Sequence, residues 1–180
     1  MKKTIVAISL FATTFFCLTA QAQKQKEGKK MSGGFGIEVG LPVAPKDFKE
    51  LFSSEIGISG RFAYKAGPGW ITLTPGASFA IPKTEADIVS VGLHSFIKAG
   101  YKYSVIKNLF VMGEAGYGSY TIYTDGGTGD VVKGPTEGGI CFAPTIGGNF
   151  GIFEIGLKYE YTKVKETSSS IVGLRFGLNF

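Results

Sequence analysis

The chain has 180 residues, enough for one domain, with a formal net charge of +5 and two cysteines. Glycine takes 27 positions, about twice the usual share, while aromatics make up 13% and proline only 7 residues; this excludes a collagen or a low-complexity chain and points to crowded β-structure. Mean hydropathy is +0.17, yet beyond the first 22 residues no run approaches the ~20 apolar residues of a membrane helix, so a membrane-spanning version of this chain must be a closed barrel.

Residues 1–22 read as an export signal. Lys2 and Lys3 supply the positive start, Ile5 to Leu18 the apolar core, and Ala20-Gln21-Ala22 a small-x-small cleavage site. Cys17 lies inside the apolar core behind Phe15-Phe16, which predicts removal rather than lipidation. Cys141 then stands as a single thiol, with no partner for a disulfide or a zinc site. Without Lys2 and Lys3 the 19 bases fall to 17 against 14 acids, a balance that does not call for nucleic acid. Residues 23–32 (QKQKEGKKMS) are polar, basic and without period, a flexible periplasmic lead.

From residue 33 the pattern is period two. A first strand at 33–41 sets Phe35, Ile37, Val39 and Leu41 against Gly36, Glu38 and Gly40. A long connection, 42–53, contains FKELF, which could form one helical turn. The second strand, 54–65, sets Ile56, Ile58, Phe62 and Tyr64 against Glu55, Gly57, Ser59 and Arg61, and Ala66-Gly67-Pro68-Gly69 turns it back. The third, 70–80, carries Ile71, Leu73, Ala77 and Phe79, with Pro75 predicting a bulge. A charged loop, 81–88, leads to the fourth, 89–103, with Val91, Leu93, Ile97, Ala99, Tyr101 and Tyr103 opposed to His94, Phe96, Lys98 and Lys102. After a turn at 104–107, the fifth, 108–122, opposes Leu109, Val111, Ala115 and Tyr117 to Phe110, Met112 and Glu114. The longest loop is 123–137. The sixth strand, 138–147, ends at a hairpin turn at Gly148-Asn149. The seventh, 150–162, opposes Phe153, Ile155, Leu157, Tyr159 and Tyr161 to Glu154, Gly156, Lys158 and Glu160. After a polar loop, 163–169, the last strand alternates Val172, Leu174, Phe176, Leu178 and Phe180 with Gly173, Arg175, Gly177 and Asn179.

The strand number is even, and connections alternate long and short, as in a membrane barrel inserted from one side. Alternation alone also fits a soluble lipocalin-like barrel with its apolar face inward. Three features favour apolar-out. The polar face is rich in glycine, which a crowded lumen needs and a solvated surface does not. Its charges balance: Glu38, Glu55, Glu114, Glu154 and Glu160 against Arg61, Lys98, Lys102, Lys158 and Arg175, as an interior requires. Tyr64, Tyr101, Tyr103, Tyr159 and Tyr161 stand near strand ends on the apolar side, as interfacial girdles do. The expected fold class is all-β, an eight-stranded antiparallel up-and-down transmembrane β-barrel over 33–180.

The terminal strand ending in Phe180, taken with the export signal, resembles the closing strand of the small outer-membrane β-barrel family of Gram-negative bacteria. The chain is similar in architecture to the eight-stranded membrane domain of outer membrane protein A, with no periplasmic domain expected after the barrel. The resemblance implies location in the cell outer membrane among its lipids and lipopolysaccharide, and assembly by the barrel-assembly machinery. In such a family Phe176, Leu178 and Phe180 would form the assembly signal. It also implies a lumen plugged by charged side chains, here Glu114, Lys98, Arg61, Arg175, Glu38, Glu154 and Lys158. Pairing the fourth and fifth strands about 104–107 places Lys98 near Glu114 and predicts an ion pair, a fixed plug or a gate.

Catalytic candidates are few. His94 is the only histidine and falls on the polar face, well below the loop end of its strand, as a luminal hydrogen-bonding residue does. Ser95 beside it points the other way. The His and Ser of lipid A deacylases, the Asp–His pairs of outer-membrane proteases and the rim His of lipid A palmitoyltransferases find no match. Asp125 and Asp130 in DGGTGD do not follow a calcium-loop spacing. No catalytic residue, metal or cofactor is expected. The predicted function is that of a monomeric barrel acting through surface loops in envelope integrity, adhesion or binding of an extracellular ligand. The alternative is a narrow gated pore for ions or small solutes, and a lipid-modifying enzyme ranks third.

Overall fold

In the computed structural model, which describes residues 30–83, 90–125, 131–164 and 167–180, the alternating segments pair in sequence order and close on themselves. The strands are β1 (Met31–Ala44), β2 (Phe52–Ala66), β3 (Gly69–Pro82), β4 (Ser90–Ile106), β5 (Leu109–Asp125), β6 (Val131–Phe150), β7 (Phe153–Val164) and β8 (Thr167–Asn179). Every neighbour pair is antiparallel, and β1 against β8 completes the ring. The ends are pinned there by Gly33 N–H donating to Phe180 O (2.9 Å) and Phe180 N–H to Gly33 O (2.8 Å). A short helix, α1 (Lys46–Leu51), forms in the 42–53 connection, overlapping the expected FKELF turn and starting two residues before it.

The expected polarity is observed. Ile37, Ile58, Phe62, Phe79, Ile97, Phe142, Leu157 and Phe176 are exposed on the outer wall. Glu38, Glu55, Arg61, Lys98, Glu114, Glu154, Glu160, Lys158 and Arg175 are buried in the lumen. An apolar belt this continuous has no place in water, and it is the lipid-facing surface of a transmembrane barrel. Among the described residues no helix is long and apolar enough to cross a membrane. Tyr101 and Tyr159 sit on the belt with their hydroxyls tied to Ala66 O (2.9 Å) and Ser170 Oγ (3.0 Å).

Several boundaries differ from the sequence expectation. β1 begins at Met31, so the last two residues of the expected lead belong to the barrel; residues 23–29 of that lead and the signal segment lie outside the described residues. The turn placed at Gly148-Asn149 is at Gly151-Ile152: β6 continues to Phe150, which pairs with Phe153. Gly151 supplies the turn with φ +65°, a conformation that costs other residues. The turn placed at 104–107 falls at Lys107-Asn108. Pro75 makes no bulge. The β2–β3 ladder skips its rung and resumes in the same register, Ser59 opposite Gly76 and Phe62 opposite Leu73. Proline removes one donor there without adding a residue.

The loops are shorter than expected because strand pairing continues into them. β3 holds Ile81 and Pro82 of the 81–88 loop, and β7 and β8 take all of 163–169 but residues 165–166. Most of the 123–137 loop is strand, Tyr123–Asp125 in β5 and Val131–Glu137 in β6. That leaves 126–130, the core of the DGGTGD stretch, outside the described residues. Pairing of β6 with β7 starts at Ile140 opposite Lys163. The first residues of β6 therefore run beyond the end of β7, paired to β5, and form a ribbon standing on the long-loop rim.

Candidate functional site

Among the described residues, chemistry-bearing side chains converge in the lumen. Period two sends every second residue inward, so one acid or base per rung from facing strands meets across a small circle. Glu154 on β7 is the hub toward the short-turn rim. Its carboxylate accepts from Arg61 Nη1, from Arg175 Nη1 (2.8 Å), from Lys102 Nζ (2.5 Å) and from Asn179 Nδ2 (3.1 Å). The Arg175 guanidinium lies over the facing glycines Gly36 and Gly177. A β-carbon on Gly36 would come within 2.6 Å of Arg175 Cζ, so a side chain there would displace the guanidinium from its present seat.

Glu160 is the second hub, toward the long-loop rim. It accepts from Lys98 Nζ (2.5 Å) and Lys158 Nζ (2.9 Å). Lys158 also bonds Glu38, and Arg175 Nε, 3.8 Å from Glu38, links the two hubs. Lys98 lies 3.9 Å from the centre of the Phe96 ring, and Lys102 lies 4.0 Å from that of Phe110, placements in which the ring faces offset part of the lost hydration.

Above Glu160, His94 Nδ1 is 3.3 Å from Glu55 Oε1 and 3.7 Å from Glu160 Oε1. Its ring stacks on Tyr120 at 4.1 Å and 4°, and Phe48 of α1 meets Tyr120 edge-on at 5.9 Å. The Ser78 hydroxyl donates to Glu55. It also lies 3.5 Å from His94 Nδ1; with its proton directed to the shorter carboxylate contact, the three do not make a nucleophile–base relay, which needs the base on the hydroxyl proton. Cys141 is buried and free. Among the described residues no group of His, Cys, Asp and Glu could hold a metal ion.

The expected Lys98–Glu114 ion pair is not formed. Lys98 stands opposite Gly116 and Glu114 opposite Gly100. Lys98 reaches to Glu160, while Glu114 accepts from Thr74 (2.5 Å) and Thr72 (3.4 Å), with Arg61 at 4.0 Å. Rung counting on one hairpin misses this because long side chains reach across the lumen to other strands. The other expected residues, Arg61, Arg175, Glu38, Glu154 and Lys158, lie in one network with these. Asn149 and Asn179 were not foreseen in it, nor were Tyr120, Thr72 and Thr74. Carrying the inward parity of Glu114 and Gly118 on to residue 120 would have found the tyrosine. Asn149 was hidden by the misplaced turn. Phe176 and Leu178 are exposed on the wall, and the Phe180 ring rests 5.9 Å from Phe35.

A closed eight-stranded barrel with a charged lumen and an apolar wall is the fold of the small outer-membrane β-barrels. Solved structures share it. They include the attachment invasion locus protein Ail of Yersinia pestis, at TM-score 0.59 and 15% identity over 83% of this chain and 96% of that one. The N-terminal β-barrel domain of Pseudomonas aeruginosa OprF matches at 0.59 and 14%, over 83% and 97%. Neisserial surface protein A matches at 0.60 and 11%, over 84% and 98%. No family model and no curated protein matches the sequence. The chain shares the fold of these outer-membrane β-barrels, and the inside-out polarity of its own side chains fits a barrel that spans a bilayer.

Proposed function

We propose that the barrel is a non-catalytic, plugged anchor, and that its work in envelope integrity, adhesion or ligand binding is done by the long-loop rim. The observation that carries this reading is the ion network, in which five carboxylates and five cations fill the lumen from Glu154 up to Glu55. Opening a path would break several buried pairs, each costly to separate. The rim, by contrast, presents α1 and the β5–β6 ribbon. Ail, a neighbour by fold, is solved also in complex with the heparin analogue sucrose octasulfate, a precedent for an extracellular ligand. In this reading Phe176, Leu178 and Phe180 are the assembly signal for the barrel-assembly machinery, residues 1–22 the export signal, and the barrel a monomer among outer-membrane lipids and lipopolysaccharide.

The test replaces residues 45–51 and 126–130 by short Gly-Ser turns and assays attachment of expressing bacteria to heparin-coated surfaces. Loss of attachment, with the unboiled barrel still migrating as a folded species, is the expected result. Unchanged attachment together with steady single-channel conductance in planar bilayers would replace it with the pore reading.

A further inference from the structure

At the short-turn rim the lumen opens into a vestibule of about 220 Å³. Its wall includes Arg61, Trp70, Lys102, Ser104, Asn149 and Asn179, and its lining contains two cations and no carboxylate. The acid beneath is shared, since Glu154 pairs with Arg61, Lys102 and Arg175, the two arginines having a second carboxylate at a longer distance, Glu114 at 4.0 Å and Glu38 at 3.8 Å. At the mouth, Phe180 O accepts from Gly33 N–H (2.9 Å) and Ser32 Oγ (3.1 Å). Donors remain. Lys102 uses two N–H groups, on Glu154 and on Asn149 Oδ1 (3.0 Å), and a lysine has three. The Trp70 indole N–H and the Ser104 hydroxyl have no partner among the described residues. Trp70 stands directly opposite Lys102 on the β3–β4 ladder.

We infer that this vestibule is a binding site for a small oxyanion such as phosphate, entering from the periplasmic side and held by Lys102, Asn149 and Trp70 with Arg61 behind. Its cations attract negative charge into a recess at the lumen mouth, where charge-assisted hydrogen bonds are stronger than neutral ones. Short turns of such barrels face the periplasm, so the site is on the opposite side of the membrane from the proposed rim function and does not depend on it.

Trp70 is the only tryptophan and reports directly. The detergent-solubilised protein is titrated with inorganic phosphate against sodium chloride of equal ionic strength. The expected result is a saturable change in Trp70 emission with phosphate alone. It should weaken about tenfold or more in Lys102→Gln, be restored in Lys102→Arg, and weaken also in Asn149→Ala, which keeps the Lys102–Glu154 pair should Lys102→Gln fail to fold. Lys65 approaches the Trp70 ring at 5.3 Å, so Lys65→Gln is the control and must retain the response. No saturable change, equal binding by Asn149→Ala and Lys102→Gln to the unsubstituted protein, or loss of the response in Lys65→Gln would each overturn the assignment.

Discussion

Glu154 is 1% exposed and accepts hydrogen bonds from three cations and an amide, so its loss should be felt more than that of any other acid. Replacing it by Gln keeps the shape and leaves Arg61, Lys102 and Arg175 without their shared counter-charge. Breaking a buried pair from one side costs about 3–5 kcal/mol, and Glu154→Gln should lower the urea midpoint of the refolded barrel accordingly. Glu50→Gln is the comparison. Glu50 pairs with Lys46 at 3.6 Å with both side chains largely exposed, an i,i+4 contact worth about 0.3–0.5 kcal/mol. Equal effects from the two substitutions would mean that water reaches Glu154 freely and that the network is no plug. The division of roles was partly legible in the residues themselves. Parity along each strand assigns Glu154 and Arg175 to the lumen, because alternation is local. Which cation each acid takes depends on barrel tilt and side-chain reach, and these are not written in any single strand.

At the scale of the element, the tight turns decide where each strand begins. Gly148-Asn149 is a favourable turn dipeptide, yet β6 runs through it and Asn149 faces the lumen as an acceptor for Lys102. Two terms outweigh the local preference. Extending β6 to Phe150 adds rungs against Phe153, Glu154 and Ile155, and Gly151 can take the positive φ that the later turn requires. Gly151→Ala should therefore cost about 1–2 kcal/mol, the penalty for an L-residue in the left-handed region. It is measured as a shift in the same urea transition. A neutral Gly151→Ala would return the turn to Gly148-Asn149 and take Asn149 out of the lumen. The strand set itself was readable because apolar residues alternate over long runs such as Val91 to Tyr103. The loop ends were not, since 131–137 (VVKGPTE) lacks that alternation and becomes strand only by pairing with β5.

For the whole molecule, the solvent is the argument. The same alternating sequence would suit a lipocalin-like barrel if its faces were exchanged, and folding chooses between them by where charge can be paired. Ten charged side chains in a shared network are tolerable inside a narrow lumen. The same ten facing lipid, one per rung and unpaired, are not. Once the charges are inside, the isoleucines and phenylalanines have only lipid to meet, and the energetic profile of the wall must follow depth in the bilayer. Ile97 lies at mid-height of β4 and is 52% exposed, whereas Ile71 is equally exposed at 52% but close to the short turn at Gly67-Pro68. Lysine at the midplane of such a barrel costs about 2–4 kcal/mol and near the interface about 0–1 kcal/mol. Ile97→Lys should therefore destabilise the barrel refolded into phospholipid vesicles by the larger amount and Ile71→Lys by the smaller, read from urea titrations of tryptophan emission. In water alone both positions are equally accessible and a soluble barrel would treat them alike. A matched pair of small effects would contradict the lipid-facing wall, and a matched pair of large effects would move the membrane boundary toward the short-turn rim and submerge the vestibule at Lys102.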